Sequence, residues 1–305
     1  MIGRARMART FRHACAALFA ALAFAAPPAQ AQVGDAARGA YVFAAGGCAG
    51  CHTDVKNSGQ LLAGGRELKT PFGSFYGPNI TAHPVNGIGK WSDADFIRAF
   101  RQGRRPDGAH YFPVFPYTSF TKVADRDLLD LKAYIFSLPV SDRPSRPHDI
   151  GFPFNVRLLQ FGWKLLNFEP GEFRPDPAKS AEVNRGAYLA QALGHCAECH
   201  SPRNRLGGID RAMLYAGDRN HAGAGIRIPN ITPDPETGIG KWSVGDLADL
   251  LGSGMTRDGD SVGGDMGEVV ANSTSKLTAE DRAAMIAYLR QLKPVDHRVR
   301  GAPAQ

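Results

Sequence analysis

Cysteine is scarce in this chain of 305 residues: there are five, of which Cys48, Cys51, Cys196 and Cys199 form two Cys-x-x-Cys pairs and Cys15 lies in an N-terminal stretch with the features of a leader. No thiol is left for a disulfide framework, a zinc cage or a cysteine nucleophile. Methionine is missing between Met7 and Met213, so a site in the first half that needs a thioether cannot have one. Beyond the leader no apolar run is long enough to cross a bilayer, and the stretch from Arg290 to Gln305 is polar. Strong charge is missing too: the formal net charge is +7, and without the leader's Arg4, Arg6, Arg9 and Arg12 it falls to about +3. So mild an excess argues against nucleic acid as a partner. The cluster Arg98, Arg101, Arg104 and Arg105 can steer an anionic protein, or simply be a solvated helix end.

What is present begins with the leader. Four arginines precede an apolar run from Ala14 to Ala26, and Ala29-Gln30-Ala31 supplies a small-residue cleavage site. Residues 1–31 therefore read as a secretory signal peptide, and the mature chain is expected in the periplasm from Gln32 onward. Further on, C-A-G-C-H spans Cys48 to His52 and C-A-E-C-H spans Cys196 to His200. Two thiols at this spacing form thioethers with the two vinyl groups of a haem, and the adjoining histidine ligates its iron. A zinc knuckle or a thioredoxin-like redox pair would leave both histidines unexplained. Two covalently bound haem c groups are expected, held by Cys48, Cys51 and His52 and by Cys196, Cys199 and His200. Export fits, because this attachment takes place outside the cytoplasm.

Each motif opens a repeat. Arg38-Gly39-Ala40-Tyr41 returns as Arg185-Gly186-Ala187-Tyr188, Pro78-Asn79-Ile80-Thr81 as Pro229-Asn230-Ile231-Thr232, and the run from Gly87 to Ser92 as that from Gly238 to Ser243. The duplication predicts two tandem domains, at 32–141 and 181–297, joined by a Pro- and aromatic-rich linker at 142–180. Both read as helical, an all-α class. Ser92 with Asp95, Ser243 with Asp246 and Thr278 with Asp281 have the spacing of helix caps, with stops expected at Gly103 and Gly252. Leu128, Leu131, Ile135 and Leu138, echoed by Met285, Leu289 and Leu292, recur at helical period. The linker segment from Phe152 to Phe168 is dense in aromatics. It is expected to be buried between the domains, with docking to a partner or a membrane surface as the other reading.

A haem iron of this kind takes a second axial ligand from a downstream loop, commonly a methionine. Met266, in the Gly-rich run from Gly252 to Gly267, is the candidate in the second repeat. Met255 is a rival, Met213 lies too near the motif, and Met285 sits on the apolar stripe. An EF-hand at Asp258 to Val269 fails because Val269 stands where a bidentate glutamate is needed. In the first repeat, the offset that carries Trp91 to Trp242 carries Phe115 to Met266, and phenylalanine cannot bind iron. The first site is then open, or takes His110, with His83, Tyr111 or a lysine behind it. If His110 binds, the first haem has the lower potential. The carbonyls of Pro78 and Pro229 are expected to accept the remaining ring N–H of His52 and His200. Trp91 and Trp242 either donate to haem propionates or pack in the core.

On Cys-x-x-Cys-His followed by P-N-I-T, G-I-G-K-W-S, an Asp-Gly turn and the ligand loop, the chain resembles the class I cytochrome c subunits of periplasmic alcohol and gluconate dehydrogenases. The likeness covers nearly all of both repeats. It implies a non-catalytic carrier that takes electrons from a dehydrogenase and passes them towards the respiratory chain, through a terminal oxidase or another cytochrome. That family has three such domains and often an anchor; here there are two and none, which leaves peripheral membrane association open. The family's methionine before Pro-Tyr is replaced in Val114-Phe115-Pro116-Tyr117. An alternative of another class, a dihaem peroxidase, rests on that replacement. A cysteine-ligated thiosulfate-oxidising cytochrome is excluded by the cysteine count.

Overall fold

The computed structural model describes residues 33–221 and 225–299, so the predicted signal peptide at 1–31, with Cys15, lies outside the described residues. The first repeat opens with α1 (Ala36–Ala45), whose free N–H groups at Ala37 and Arg38 are taken by the Asp35 side chain. A short α2 (Cys48–His52) carries the first motif, and the hairpin β1 (Glu67–Thr70) and β2 (Gly73–Tyr76) follows. Then come α3 (Asp93–Gln102), α4 (Tyr117–Phe120) and α5 (Asp125–Ser137). The linker contributes β3 (Asp149–Ile150), which pairs with β2, and α6 (Leu159–Asn167). In the second repeat α7 (Ala181–Tyr188) runs into a π-helical turn (Leu189–Leu193), and a 3-10 turn (Cys196–Glu198) carries the second motif. The hairpin β4 (Asp218–His221) and β5 (Ile226–Ile228) precedes α8 (Val244–Ser253), α9 (Gly264–Asn272) and α10 (Ala279–Leu289). The fold is mostly helical as expected, with two small antiparallel sheets that the all-α reading missed because each strand is two to four residues long.

The caps follow the sequence. Ser92 and Asp95 close a capping box on α3, Ser243 and Asp246 close another on α8, and Thr278 accepts from Asp281 at the start of α10. α3 stops at Gly103 with φ 58°, but α8 runs through Gly252 and stops at Gly254 with φ 81°. The left-handed turn that ends such a helix favours glycine, and Gly254, not Gly252, occupies it.

Each repeat is closed by its first helix crossing its last. At the α1–α5 crossing a Cβ on Gly39 would lie 1.9 Å from the Asp130 carbonyl oxygen, and at the α7–α10 crossing one on Gly186 would lie 1.8 Å from that of Ala284. Only glycine lets the backbones approach so closely. Leu128, Leu131 and Ile135 are buried on α5, and Met285 and Leu289 on α10, as their periodicity predicts. Residues of both repeats, among them Phe120, Val123, Leu189 and Leu193, join one continuous core.

The repeats also clasp each other reciprocally. Tyr41 on α1 donates to Asp281 at the start of α10 (2.5 Å) and accepts from the Thr278 N–H (3.2 Å). Tyr188 on α7 donates to Asp127 at the start of α5 (2.6 Å) and accepts from the Ala124 N–H (3.2 Å). Exchange of the same contact in both directions is the mark of an approximate two-fold relation.

The linker departs from expectation. One face of α6 does pack: Lys164 is buried and donates to the carbonyls of Gln102 and Gly103, and the Trp163 indole donates to the Leu206 carbonyl. The other face is bare, with Leu165 and Leu166 each more than 70% exposed, as are Phe152 and Leu158 in the chain leading into the helix. The segment lies across both repeats rather than between them, because α1, α5, α7, α10 and the turns beside them already fill the shared interface. Among the described residues no helix is long and apolar enough to cross a membrane.

Candidate haem sites

Both Cys-x-x-Cys-His motifs sit on a single helical turn entered through a left-handed residue, Gly47 (φ 60°) before Cys48 and His195 (φ 38°) before Cys196. The turn brings each pair of thiols to one side, since residues three apart on a helix are neighbours. The histidine then follows directly. His52 Nδ1 lies 2.9 Å from the Pro78 carbonyl oxygen and His200 Nδ1 lies 2.8 Å from that of Pro229. These are the two carbonyls expected from the sequence. A carbonyl can only accept, so each Nδ1 carries the proton and each Nε2 keeps its lone pair for a metal. Burial supports the neutral form: it is the main cause lowering the pKa of both, that of His200 to about 4.

The residues behind the carbonyls explain the P-N-I-T repeat, a role the sequence reading did not assign. Asn79 and Asn230 are buried, and each accepts with its side-chain oxygen from the backbone N–H and hydroxyl of the threonine two residues on, Thr81 or Thr232. Their amides donate outward, Asn79 to the Ser141 and Arg143 carbonyls and Asn230 to Thr237 and the Val295 carbonyl. The proline carbonyl is thereby pinned. From the other side, the Gly64 N–H donates to the His52 carbonyl and the Gly217 N–H to the His200 carbonyl, each at 2.8 Å. The repetition of both Asn and Gly in the two halves was the signal available.

On the distal side the repeats differ. Met266 lies half-buried in the first turn of α9, just after Gly263 and Gly264, the latter at φ 56°. Met255 is 49% exposed and Met285 is core. At the corresponding place in the first repeat, Phe115 lies in an aromatic cluster, its ring centroid 5.3 Å from those of Phe100 and Tyr111 and 5.7 Å from that of Phe120. His110 sits beside this loop in a bridge with Arg104, its ring 6.0 Å from Phe161 of α6 and its buried Nδ1 without a partner among the described residues. His83 uses Nδ1 to accept from the N–H groups of Val85 and Asn86, closing a turn as the carboxylate of Asp234 does in the second repeat. That is a structural task. Trp242 is buried in the core and Trp91 packs against it.

One site residue escaped the sequence reading. Glu198, inside the second motif, is only 7% exposed. Its carboxylate accepts from the hydroxyls of Thr118 (2.5 Å) and Ser119 (3.0 Å) on α4 of the first repeat, and pairs with Arg203 at 2.7 Å. Burial works to raise its pKa, but the Arg203 charge and these hydrogen bonds outweigh it and hold the carboxyl below its ordinary value. Gly50 stands at that place in the first motif. A reciprocal contact exists nonetheless: Arg66, near the first motif, pairs at 2.6 Å with Glu268 on α9 of the second repeat. Each ligand-loop helix thus touches the other repeat's attachment region.

The donor set fits haem c and not zinc. Among the described residues no three His, Cys, Asp or Glu side chains converge to hold a metal ion, whereas two thiols and one free imidazole nitrogen recur in the same arrangement.

The cytochrome c family profile matches residues 36–139 and 183–293. The chain belongs to the cytochrome c family. It is 47% identical over 271 residues to a diheme c-type cytochrome of Cereibacter sphaeroides, covering 86% of this chain and 88% of that one. It is also 38% identical to the fructose dehydrogenase cytochrome subunit of Gluconobacter japonicus and 37% identical to the cytochrome c subunit of a quinone-type alcohol dehydrogenase of Gluconacetobacter polyoxogenes. It spans 54% and 63% of those two proteins. These relatives are named as a diheme cytochrome and as cytochrome subunits of dehydrogenases.

Proposed function

We propose that this protein is a periplasmic electron carrier with two haem c groups, organised as domains at 32–141 and 181–297 around the linker at 142–180. Cys48 and Cys51 hold one haem with His52 as iron ligand; Cys196 and Cys199 hold the other with His200 and Met266. When bound, each haem supplies one-electron exchange at its iron. The chain's own residues fix the imidazoles through the Pro78 and Pro229 carbonyls, keep them neutral by burial, and hold both attachment regions against a shared interface. The observation that carries this reading is the matched pair of Nδ1 to carbonyl contacts at 2.9 and 2.8 Å, one in each repeat, which leaves an identical metal-binding nitrogen beside each thiol pair.

By likeness to the cytochrome subunits of fructose and alcohol dehydrogenases, the donor is a periplasmic dehydrogenase, and the acceptor is a terminal oxidase or another cytochrome. Mass spectrometry of the exported protein counts the haems, and a redox titration followed by visible and near-infrared spectra separates their potentials. The expected result is two added haem masses with two distinct potentials, and a thioether band from one haem. One haem, or two methionine-ligated haems, contradicts the proposal. Phe115 in place of a methionine favours one second reading, an open first haem that turns over peroxide. Cyanide or carbon monoxide binding to a single haem, with a peroxide assay, tests it.

A further inference from the structure

The surface feature that electron carriage leaves unused is the outer face of α6 and the chain leading into it. Phe152 (83%), Leu158 (75%), Leu165 (71%) and Leu166 (73%) project into solvent, with Leu159 and Phe161 about half exposed beside them. Isolated exposed apolar side chains are ordinary; six of this size within fifteen residues, five of them on α6 or at its start, call for a cover. The helix beneath is fixed. Trp163 and Lys164 tie it to the Leu206 and to the Gln102 and Gly103 carbonyls, and Asn167 accepts from Asn204. The bare face is therefore a rigid platform.

The charges around it choose the cover. Arg104 and Arg157 reach α6 through His110, whose ring lies 6.0 Å from that of Phe161: Arg104 is bridged to His110, Arg157 donates to its carbonyl, and Arg205 adjoins Leu206. Among the described residues none of Arg104, Arg157 and Arg205 meets a carboxylate, while the nearby Asp107 and Glu169 are taken by Arg105 and Arg211. The patch is a protruding apolar ridge in a cationic rim. A protein partner would need a matching acidic groove; an anionic bilayer needs only that leucine and phenylalanine side chains enter its interface while arginines meet its phosphates. At nine residues α6 is far too short to span a membrane.

We propose that α6 and the segment from Phe152 to Leu158 form an in-plane membrane-docking surface that recognises bilayers containing anionic phospholipid. It goes beyond the electron-carrier reading and does not depend on which dehydrogenase is the donor. The test is flotation of the exported holoprotein with vesicles of phosphatidylcholine, with and without phosphatidylglycerol. Wild type is expected to float with the phosphatidylglycerol vesicles and to be released by salt. Leu165→Asp and Leu166→Asp, both at exposed positions that leave the core untouched, should each weaken partitioning roughly tenfold or more, with an unchanged haem spectrum. Failure of wild type to float, or flotation of the Asp variants like wild type, overturns the proposal. So does either alternative cover: a concentration-dependent dimer in sedimentation that the Asp variants abolish, or loss of reduction by a donor dehydrogenase without any loss of vesicle binding. A lost haem spectrum would instead indict the carrier reading.

Discussion

Removing the hydroxyl of Tyr188 should loosen the two repeats more than removing that of Tyr41, although the two tyrosines make the same contact. Each donates to an aspartate, at 2.6 and 2.5 Å, and accepts from a backbone N–H at 3.2 Å. A hydrogen bond to a charged group contributes about 1.5–3 kcal/mol. The remainder depends on what the aspartate keeps. Asp281 retains two hydrogen bonds from Arg185, at 2.8 and 2.6 Å, whereas Asp127 has no other side-chain partner among the described residues. Tyr188→Phe is therefore expected near the upper end of that range and Tyr41→Phe near the lower, about 1 kcal/mol apart. Guanidinium unfolding of the holoprotein, followed by haem absorbance and by far-ultraviolet circular dichroism, measures both. If the clasp couples the repeats, Tyr188→Phe should also separate the two signals into unequal transitions. Both variants unfolding within about 0.5 kcal/mol of wild type would refute the reciprocal interface.

Three further outcomes follow from the same contacts. Gly186→Ala places a methyl 1.8 Å from the Ala284 oxygen and should cost roughly 1–3 kcal/mol, whereas Gly162→Ala, with nothing within 4 Å, should gain about 0.5–1 kcal/mol; thermal melts compare them. Hydrogen bonding to Arg185 is the main cause holding the Asp281 carboxyl below its ordinary value, so its contribution is complete above the unfolded carboxylate pKa of about 4 and fades as pH falls through the lower folded value. Denaturation midpoints should fall with acid less in Asp281→Asn than in wild type. Glu198→Ala, which strands the half-buried Arg203 guanidinium and the two hydroxyls, should cost about 2–3 kcal/mol, and Glu198→Gln clearly less; equal stability of all three forms would show that the clamp from α4 does not exist in solution.

The features legible in the sequence were those encoded locally. The two haem motifs, the Ser92, Ser243 and Thr278 caps, and the stripe on α5 all depend on spacings of a few residues, and the chain cannot hide them. The duplication extended that reach, since a residue kept in both copies invites a shared reason, as with Pro78 and Pro229. It failed where the reason lay across the fold. Gly39 and Gly186 were visible as repeats, but their need, a carbonyl less than 2 Å from a missing Cβ, appears only once α5 and α10 are in place. Glu198 drew no reading from the sequence because the hydroxyls it accepts from lie on α4, some eighty residues earlier. The linker was misjudged for a related reason: aromatic density predicts contact, but not that the interface it would have filled is already occupied.

The two sites share the brace of an imidazole Nδ1 against a proline carbonyl, so on the proposed two-haem reading a difference between the haems has to arise at places where the copies diverge. Among those nearest the motifs and the ligand loops are Gly50 against Glu198, Gly47 against His195, and Phe115 against Met266. Glu198 places a buried carboxylate beside the second site, which alone would favour the oxidised iron; yet Arg203 stands 2.7 Å from it, and the field of a close pair of opposite charges falls away much faster than that of either alone. Axial-ligand identity acts on the iron directly and is among the strongest levers on its potential. The exchange of Met266 for Phe115 should therefore dominate the gap between the two haems. Phe115→Met is expected to raise the lower potential and add a second thioether band, while Glu198→Gln leaves the gap largely standing. If the larger shift came from Glu198→Gln, the distal loop would not be what sets the two haems apart.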